Sequence, residues 1–439
     1  MRNKKGTFKL IIKEFHESEL PEIRERDLAL PKKTNKIITV SGPRRAGKTY
    51  YFYQLIQRLK DSVSNNRIIY INFEDDRLLP LSVENLDDLM EAYFELYPEN
   101  KTKEIYCFFD EIQNIDNWEL FIRRIYDKEK VKIFLTGSSS KLLSREIATS
   151  LRGRTLNYQI FPLSFKEFLK FKNVKLNKNF AYSKTRFQIK KMFEEYLAFG
   201  GFPEVVLEKN GLKSQILKNY YNLTIYRDLV ERFAIRNTAF LKSLTKYLLT
   251  NISTTFSVNA YYQSLEKFSK PARETVLEYL SYLQEIELTF LIPIFSHSLK
   301  VQQVNPKKNY AIDNGLRNAV SFRFSRDYGR LLENLVFIEL KRQNKEIYYY
   351  RRKKEVDFIV KGNLKASQAI QVTQELNKKN EERELEGLIE AMAEYRLKDG
   401  LILTQDQEEE IEKKIGRRKI KIKVAPVWKW LLSNQLDKI

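Results

Sequence analysis

The chain has 439 residues, and at roughly 150 residues per domain this length predicts about three domains. Hydrophobic residues make up 43% of it, with 14 glycines and 11 prolines, which excludes a disordered, collagen-like or low-complexity chain. The single Cys107, with His16 and His297 far apart, argues against a disulfide framework and a zinc site. No stretch approaches 18 apolar residues and no signal peptide is evident, so we expect a cytoplasmic protein without a membrane span.

The formal net charge is +21, from 78 lysines and arginines against 57 acidic residues. A surplus of this size favours a polyanionic partner, and the partner that we expect is DNA. Two basic runs contribute to it, at residues 166–191 and 413–423. The alternative is a lysine-rich solvated surface that binds no nucleic acid.

In chain order, four short apolar runs alternate with helical or polar sequence, which predicts a parallel β-sheet covered by helices on both faces. The runs are residues 37–40, 67–73, 105–109 and 131–136. We therefore expect an N-terminal segment over residues 1–35 and an α/β core over residues 36–165. A mostly helical segment follows over residues 166–236.

Residues 237–312 have the outline of a winged helix-turn-helix, three helices followed by a two-stranded ribbon. In such a domain the third helix, here beginning after Pro271, enters the major groove of DNA, and Arg273 is the candidate for a groove contact. Lys267 and Lys270 are the candidates for phosphate contacts. Three apolar residues of the third helix are expected to face the core: Val276, Leu277 and Leu280.

A glycine-rich loop follows the first apolar run and precedes a helix, which is where a phosphate-binding loop lies. It fits the pattern G-x-x-x-x-G-K-[ST] and, with the next residue, forms the predicted nucleotide site: Gly42, Pro43, Arg44, Arg45, Ala46, Gly47, Lys48, Thr49 and Tyr50. Backbone N–H groups would surround the phosphates, while Lys48 would reach the β- and γ-phosphates and Thr49 would bind Mg²⁺. The loop therefore predicts ATP and Mg²⁺ as ligands.

Two carboxylates, Asp110 and Glu111, come directly after the third apolar run. Asp110 is placed to hold Mg²⁺ through its water shell, and Glu111 to polarise an attacking water. A hydrolase needs the second carboxylate, whereas a small-molecule kinase does not. The pair therefore predicts a Mg²⁺-dependent ATPase in which Glu111 and Lys48 are catalytic.

Polar and basic residues follow the fourth run. Thr136 or Ser138 would orient the water and the γ-phosphate, unless these residues only cap a helix. Arg152 or Arg154 would stabilise transition-state charge in cis or, in a homo-oligomer, on a neighbouring subunit. An ordinary surface salt bridge is the alternative for the arginines. Of these residues, Thr136 and Arg154 are the predicted catalytic ones.

These motifs resemble those of archaeal and bacterial AAA+-type ATPases that pair an ATPase core with a C-terminal domain of unknown function. Besides the phosphate loop, the likeness rests on residues 109–113, 135–139, 153–155, 162–165 and 200–204. It continues more weakly through residues 332–334 and 355–358. The resemblance implies a P-loop NTPase core of the ASCE type, ATP hydrolysis, a helical lid over residues 166–236 and a winged helix.

Residues 313–439 predict a second α/β domain, which resembles the restriction-endonuclease-like fold through Glu333 on a helix and Asp357 on a strand. An active nuclease of that kind would have Glu-x-Lys in the following strand, where this chain has Gln371 and Thr373. Glutamine is a poor ligand for Mg²⁺ and threonine supplies no cation. The resemblance therefore implies an inactive nuclease-like domain, and an unrelated α/β domain is the alternative.

The function that we expect from these features is an ATP-driven DNA-binding switch or remodeller. A signalling ATPase with a protein partner and an ATPase-regulated nuclease are the alternatives. Salt dependence of partner binding separates the first from the second, and metal-dependent cleavage identifies the third.

Overall fold

The computed structural model describes residues 4–31, 34–137, 151, 153–177, 179–209, 211–265, 271–321, 328–416 and 418–433. The chain divides into two compact units: unit 1, Met1–Phe161, and unit 2, Pro162–Ile439. None of the helices in the described ranges is long and apolar enough to cross a membrane.

Unit 1 is an α/β unit in which helices and strands alternate. Its helices are α1 (Lys5–Glu17), α2 (Lys48–Lys60), α3 (Leu86–Leu96) and α4 (Trp118–Lys128). Its strands are β1 (Ile37–Ser41), β2 (Ile68–Asn72), β3 (Ile105–Asp110), β4 (Val131–Gly137) and β5 (Thr155–Gln159). The first four strands lie where the apolar runs predict them, whereas β5 was not predicted.

The five strands form one parallel sheet in the order β2-β3-β4-β1-β5, so the predicted parallel sheet is confirmed. Because the strands are parallel, their carboxyl ends meet at one edge of the sheet. Val40 near the end of β1 lies opposite Thr136 of β4, and Asn72 at the end of β2 lies opposite Asp110 of β3. This edge therefore brings together the phosphate loop, Asp110 and Thr136.

Alternate side chains of the strands cover opposite faces of this sheet, as the two-residue period of a strand requires. In β2, Ile69 and Ile71 pack into one buried core together with residues of α1, α3 and α4. Ile68 and Tyr70 pack into the core on the other face, together with residues of α2. The sheet is therefore covered by helices on both faces.

The N-terminal helix α1 belongs to the core of unit 1. Phe8, Ile11 and Ile12 lie on one side of this helix, and all three are buried. The N-terminal segment that we expected over residues 1–35 therefore contributes a helix to the core of unit 1. The reason is that an amphipathic helix supplies one of the layers that cover the sheet.

Unit 2 begins with four helices and a π-helical segment, then a mixed region, then a second α/β region. The first part contains α5 (Phe165–Phe171), α6 (Thr185–Phe199), α7 (Pro203–Leu207), α8 (Lys213–Leu223) and the π-helix Thr224–Glu231. The second contains α9 (Thr238–Thr250), β6 (Thr254–Phe256), α10 (Val258–Ser264), α11 (Arg273–Glu285), β7 (Thr289–Ile292), α12 (Leu299–Val304) and β8 (Lys307–Ala311).

The third part of unit 2 starts with α13 (Asn314–Val320) and α14 (Tyr328–Arg342). It continues with β9 (Glu346–Arg351), β10 (Glu355–Gly362), β11 (Lys365–Val372), α15 (Glu381–Tyr395), β12 (Asp399–Thr404), β13 (Glu409–Ile415), β14 (Arg418–Pro426) and α16 (Val427–Ser433). Its sheet has the order β13-β14-β12-β11-β10-β9. Strands β11, β12 and β14 are parallel, and the other pairs are antiparallel.

The second part of unit 2 contains the three helices that we predicted, α9, α10 and α11, and an antiparallel sheet with the order β6-β8-β7. Helix α11 buries Val276 and Leu280, as expected, but Leu277 is 44% exposed. The expectation that Leu277 faces the core is wrong. It lies about 100° around the helix from Val276, outside the stripe that continues through Leu280 and Leu283.

Lysines of the basic run at residues 413–423 lie on β13 and β14. The register places Glu410 opposite Lys423 and Glu412 opposite Lys421, and the last two form an ion pair at 3.7 Å. Acidic residues of β13 therefore offset part of the positive charge that this run shows in the sequence.

The glycines of residues 200–204, one of the segments that carry the family resemblance, permit close packing within unit 2. Gly200 has a φ of +72°, and a Cβ atom there would lie 2.0 Å from the carboxylate of Asp313. The next glycine, Gly201, donates its N–H to Asp313 at 2.8 Å. Burial raises the pKa of Asp313 to about 6, although backbone N–H groups at this junction lower it.

Candidate active site

The phosphate loop connects β1 to α2 at the carboxyl ends of the strands. The backbone geometry explains why two of its positions are glycine. A Cβ atom at Gly42 would lie 2.2 Å from the carbonyl oxygen of Ile160. Gly47 has a φ of +94°, a left-handed conformation that side chains rarely adopt, and it immediately precedes the first residue of α2. The loop can therefore approach the chain at Ile160 and turn directly into the helix, whose N-terminus favours anions.

Lys48 is the first residue of α2, and its ammonium group is buried at the centre of the site. It donates a hydrogen bond to the carbonyl oxygen of Gly42 at 3.3 Å and pairs with the carboxylate of Glu111 at 3.3 Å. The two side chains of this ion pair are only 6% and 13% exposed. The predicted phosphate-binding lysine and the predicted catalytic base are therefore direct neighbours.

Asp110 ends β3 and accepts three hydrogen bonds. Thr49 donates its hydroxyl at 2.6 Å, Tyr70 donates its hydroxyl at 3.1 Å, and the Thr136 hydroxyl is the third donor. Burial and the neighbouring charge of Glu111 raise the pKa of Asp110, although the hydroxyls of Thr136 and Thr49 and the charge of Lys48 lower it. A cation beside Asp110 would favour its ionised form.

Glu111 has a left-handed backbone, with a φ of +54°, at the turn that follows β3. Its backbone N–H donates to the Thr136 hydroxyl oxygen at 2.9 Å, and the side-chain amide of Gln113 donates to its carboxylate. Burial by itself would raise the pKa of Glu111, but Lys48, Gln113 and Arg44 together hold it below the ordinary value. Glu111 therefore stays ionised, and contacts on both the backbone and the side chain fix its position.

The oxygen donors at this edge suit Mg²⁺, which prefers carboxylate and hydroxyl oxygens and keeps several waters. Thr49 and Asp110 would hold it, because their oxygens lie 2.6 Å apart. Within the described ranges no group of three or more His, Cys, Asp or Glu side chains is arranged to hold a metal ion. A magnesium ion here would therefore depend on water and on phosphate oxygens for its remaining ligands.

The remaining residues of the predicted nucleotide site each have different contacts. Arg44 pairs with Glu74 at 3.2 Å, and Arg45 has a φ of +68°. The Pro43 carbonyl accepts a hydrogen bond from the N–H of Ala46 at 3.2 Å. Tyr50 is 52% exposed on α2. Four further residues named from the sequence lie outside the described residues: Ser138, Arg152, Lys267 and Lys270.

Arg154 lies at the amino-terminal ends of the strands, whereas the phosphate loop lies at their carboxyl ends. Its carbonyl accepts a hydrogen bond from Ile37, the first residue of β1, and its guanidinium pairs with Asp127 at 3.0 Å. The five residues of β1 separate Arg154 from the loop by about 16 Å along the strand direction. The expectation that Arg154 reaches the γ-phosphate in cis therefore needs correction, because β5 runs parallel to β1 and Arg154 precedes it.

Arg26 stabilises the phosphate loop through hydrogen bonds. No feature of the sequence identified this arginine as part of the site. Its buried guanidinium donates to the carbonyl oxygen of Ala46 at 2.7 Å and to that of Phe161 at 2.8 Å. The backbone of Arg26 forms two further hydrogen bonds with the side-chain amide of Gln54 on α2. Gln113 was also missed, since a glutamine two residues after Glu111 carries no signal of its own.

The fold and the site together define the class of protein. Residues 34–169 match the model of an AAA domain, so the chain contains an AAA-type ATP-binding domain, as the motifs predict. Residues 190–327 match a domain of unknown function (DUF8612), and residues 328–429 match another (DUF4143).

The family follows from two relatives. The chain is 39% identical to the uncharacterized protein MJ1544 of Methanocaldococcus jannaschii, over 99% of this chain and 97% of that protein. It is 32% identical to an uncharacterized protein of Haemophilus influenzae, over 75% of this chain and 80% of that protein. The chain belongs to the family that these two proteins represent.

Two solved structures have a more distant likeness. The Walker-type ATPase PABY2304 of Pyrococcus abyssi aligns with 65% of this chain and 91% of its own, at 14% identity and a TM-score of 0.41. The Aeropyrum pernix Orc1 protein in complex with DNA aligns with 72% and 91%, at 12% identity and a TM-score of 0.31. Neither similarity is strong enough to indicate the activity of this chain.

Proposed function

We propose that this chain is a Mg²⁺-dependent ATPase that hydrolyses ATP at the carboxyl edge of the unit 1 sheet. The observation that carries the proposal is the arrangement around Lys48, in which the phosphate-binding lysine, the Thr49–Asp110 pair and the Glu111 carboxylate lie together. A kinase-like site would need the first two of these features but would have no use for Glu111.

Each side chain has a distinct task in this proposal. Lys48 binds the β- and γ-phosphates, and Thr49 and Asp110 hold Mg²⁺, which would neutralise phosphate charge. Glu111 accepts a proton from the attacking water. Thr136 positions both carboxylates, because its hydroxyl donates to Asp110 and accepts from the N–H of Glu111.

The Lys48–Glu111 ion pair gives the proposal a further feature. Since Lys48 lowers the pKa of Glu111, Glu111 is a weaker base as long as the pair is intact. When the phosphates of ATP bind Lys48 in place of Glu111, Lys48 no longer lowers the pKa of Glu111. Glu111 then becomes a stronger base. ATP binding would thereby activate the base that hydrolyses it.

The test is phosphate release from MgATP by the full chain. Lys48→Ala should abolish turnover, because the phosphates lose their main side-chain cation. Arg58→Ala is the matched control: Arg58 is a basic residue on the same helix, with an exposed ion pair to Glu25 at 3.2 Å, and it should leave turnover within about twofold. Turnover of Lys48→Ala at the control rate would overturn the proposal.

For the partner, we propose that residues 237–312 form a winged helix that acts as an interaction module. The order of its elements and the β6-β8-β7 sheet support this. DNA is the partner that the net charge of +21 favours. The exposed face of α11 favours a protein instead, because it presents Glu274 and Glu278 one turn apart, beside Arg273. Two carboxylates there would repel a phosphate backbone.

Fluorescence anisotropy of labelled duplex DNA with the full chain, with and without MgATP, separates the two partners. A DNA partner predicts binding that weakens with salt, with a log–log slope of about −0.9 per neutralised phosphate. A protein partner at α11 predicts no binding below micromolar concentration, and a gain in DNA affinity for the variant Glu274→Gln/Glu278→Gln.

The helical lid over residues 166–236, a cytoplasmic location and self-association of the chain remain predictions. Self-association bears on catalysis, since Arg154 could then act only on the nucleotide of a neighbouring chain. An ATPase-regulated nuclease, the remaining alternative, depends on carboxylates of the C-terminal sheet.

A further inference from the structure

A buried lysine lies at the centre of three carboxylates in unit 2. Lys308, on β8, forms ion pairs with Asp357 at 2.6 Å and with Glu333 and Glu355 at 2.9 Å each. The lysine side chain is only 3% exposed, and those of Asp357 and Glu333 are 6% and 9% exposed. We call these four residues the Lys308 cluster.

Two of the carboxylates, Glu333 and Asp357, are the residues that carry the resemblance to a nuclease. The position that glutamate would occupy in an active site is Gln371, and its amide is committed elsewhere. Its oxygen accepts the N–H of Asp357 at 3.2 Å, and its nitrogen donates to Glu384 at 2.6 Å. Lys308, on strand β8 of the preceding region, thus places its ammonium group at the point where these side chains converge.

We propose that Lys308 is the resident cation of this carboxylate cluster, and that its ammonium group excludes divalent metal ions from the cluster and ties β8 to the C-terminal domain. The ammonium nitrogen stands 2.6–2.9 Å from three carboxylate oxygens. A Ca²⁺ ion at the same point would require about 2.3–2.6 Å and Mg²⁺ about 2.0–2.1 Å. One point cannot hold both cations, so the domain binds no metal there and cleaves no nucleic acid.

The charges in the cluster support a permanent ammonium. Burial alone would lower the pKa of Lys308, but the three carboxylates raise it well above its ordinary value. Burial and the charge of Asp357 raise the pKa of Glu333 to about 8, although Lys308 and the Tyr310 hydroxyl lower it. The Lys308 ammonium therefore offsets part of the negative charge of the cluster from the position that a metal ion would need.

Neighbouring contacts tie the same strand to the same domain. Tyr310, two residues after Lys308, donates its hydroxyl to Glu333 at 2.7 Å. The side-chain amide of Asn334 bonds both the N–H and the carbonyl of Ala311, at 2.8 and 3.1 Å. The segment Leu332-Glu333-Asn334 therefore serves as the partner of β8, which accounts for one of the weaker motifs in the sequence.

The first experiment titrates Mn²⁺ into the nucleotide-free full chain and counts bound ions by electron paramagnetic resonance. The wild type and Asp357→Asn should bind the same number of Mn²⁺ ions with the same affinity, and neither should cleave DNA in Mn²⁺ or Mg²⁺. A Mn²⁺ site or a cleavage activity that is present in the wild type and lost in Asp357→Asn would overturn the proposal.

The second experiment compares the thermal unfolding of Lys308→Met with that of Lys307→Met, a matched change at the preceding, half-buried lysine. Removing the ammonium leaves buried carboxylates without a cation, and Tm should fall by roughly 5–10 °C. Lys307→Met should stay within about 2 °C. Equal Tm values for the two variants would show that Lys308 does not stabilise the contact between β8 and the C-terminal domain. If Lys308→Met does not fold, the Mn²⁺ comparison still decides the proposal.

Discussion

Replacement of Glu111 by glutamine should make ATP bind more tightly while it stops hydrolysis. The structure gives the reason: Glu111 and the phosphates compete for Lys48, whose ammonium lies 3.3 Å from the carboxylate. At an effective dielectric of 20, two charges at this distance attract each other by about 5 kcal/mol. Desolvation of both groups cancels most of this energy, and we assign about 1–2 kcal/mol to the net effect of the pair.

That net energy becomes available to the nucleotide when the carboxylate is removed. A gain of about 1–2 kcal/mol corresponds to roughly 5- to 30-fold tighter binding. Loss of the proton acceptor should lower turnover by about 100-fold or more. Glu111→Gln should therefore behave as an ATP trap, with higher affinity and lower turnover than the wild type.

The assay is calorimetric titration of the wild type and of Glu111→Gln with Mg²⁺ and a non-hydrolysable ATP analogue. Glu74→Gln is the matched control, since Glu74 pairs with Arg44 of the same loop at 3.2 Å but both side chains are partly exposed. Surface pairs contribute about 0–1 kcal/mol, so its affinity should change by less than about fivefold. Equal or weaker binding by Glu111→Gln would refute the competition between Glu111 and phosphate.

Three further predictions concern other residues. Arg26→Ala should lower the free energy of unfolding by about 2–4 kcal/mol, measured in urea, because the carbonyls of Ala46 and Phe161 lose a charged donor; it should also raise the KM for ATP. Arg154→Ala should leave turnover unchanged in dilute solution, and a loss at every protein concentration would restore a role in cis. The pKa of Asp313 is raised to about 6, so the folded chain takes up a proton that the unfolded chain releases, and stability falls as pH rises from about 4 to 6. Thermal unfolding of Asp313→Asn should lack this decline, and an identical pH profile would contradict it.

The nucleotide site could be predicted from the sequence because its signals are local. Lys48 and Thr49 follow a glycine loop, and Asp110 and Glu111 follow an apolar strand. Parallel strands end at a common edge, so no knowledge of the strand order was needed to expect these residues together.

What could not be predicted depends on strand order and on contacts between distant segments. The position of Arg154 follows from β5 lying parallel to β1, and β5 alternates too weakly in hydrophobicity to be identified as a strand. The contact of Arg26 with Ala46 and that of Lys308 with Asp357 join segments 20 and 49 residues apart. A buried lysine or arginine has the same appearance in a sequence as an exposed one, and only its carboxylate or carbonyl partners distinguish it.

Single-turnover hydrolysis tests the central claim most directly, with the full chain in excess over radiolabelled MgATP, so that only bound nucleotide is counted. The wild type should convert its bound ATP to ADP and phosphate, and Glu111→Gln should bind the same nucleotide and retain it as ATP. Equal formation of ADP by the two proteins would contradict the assignment of Glu111, and ATP retained by both would contradict the proposal that this chain is an ATPase.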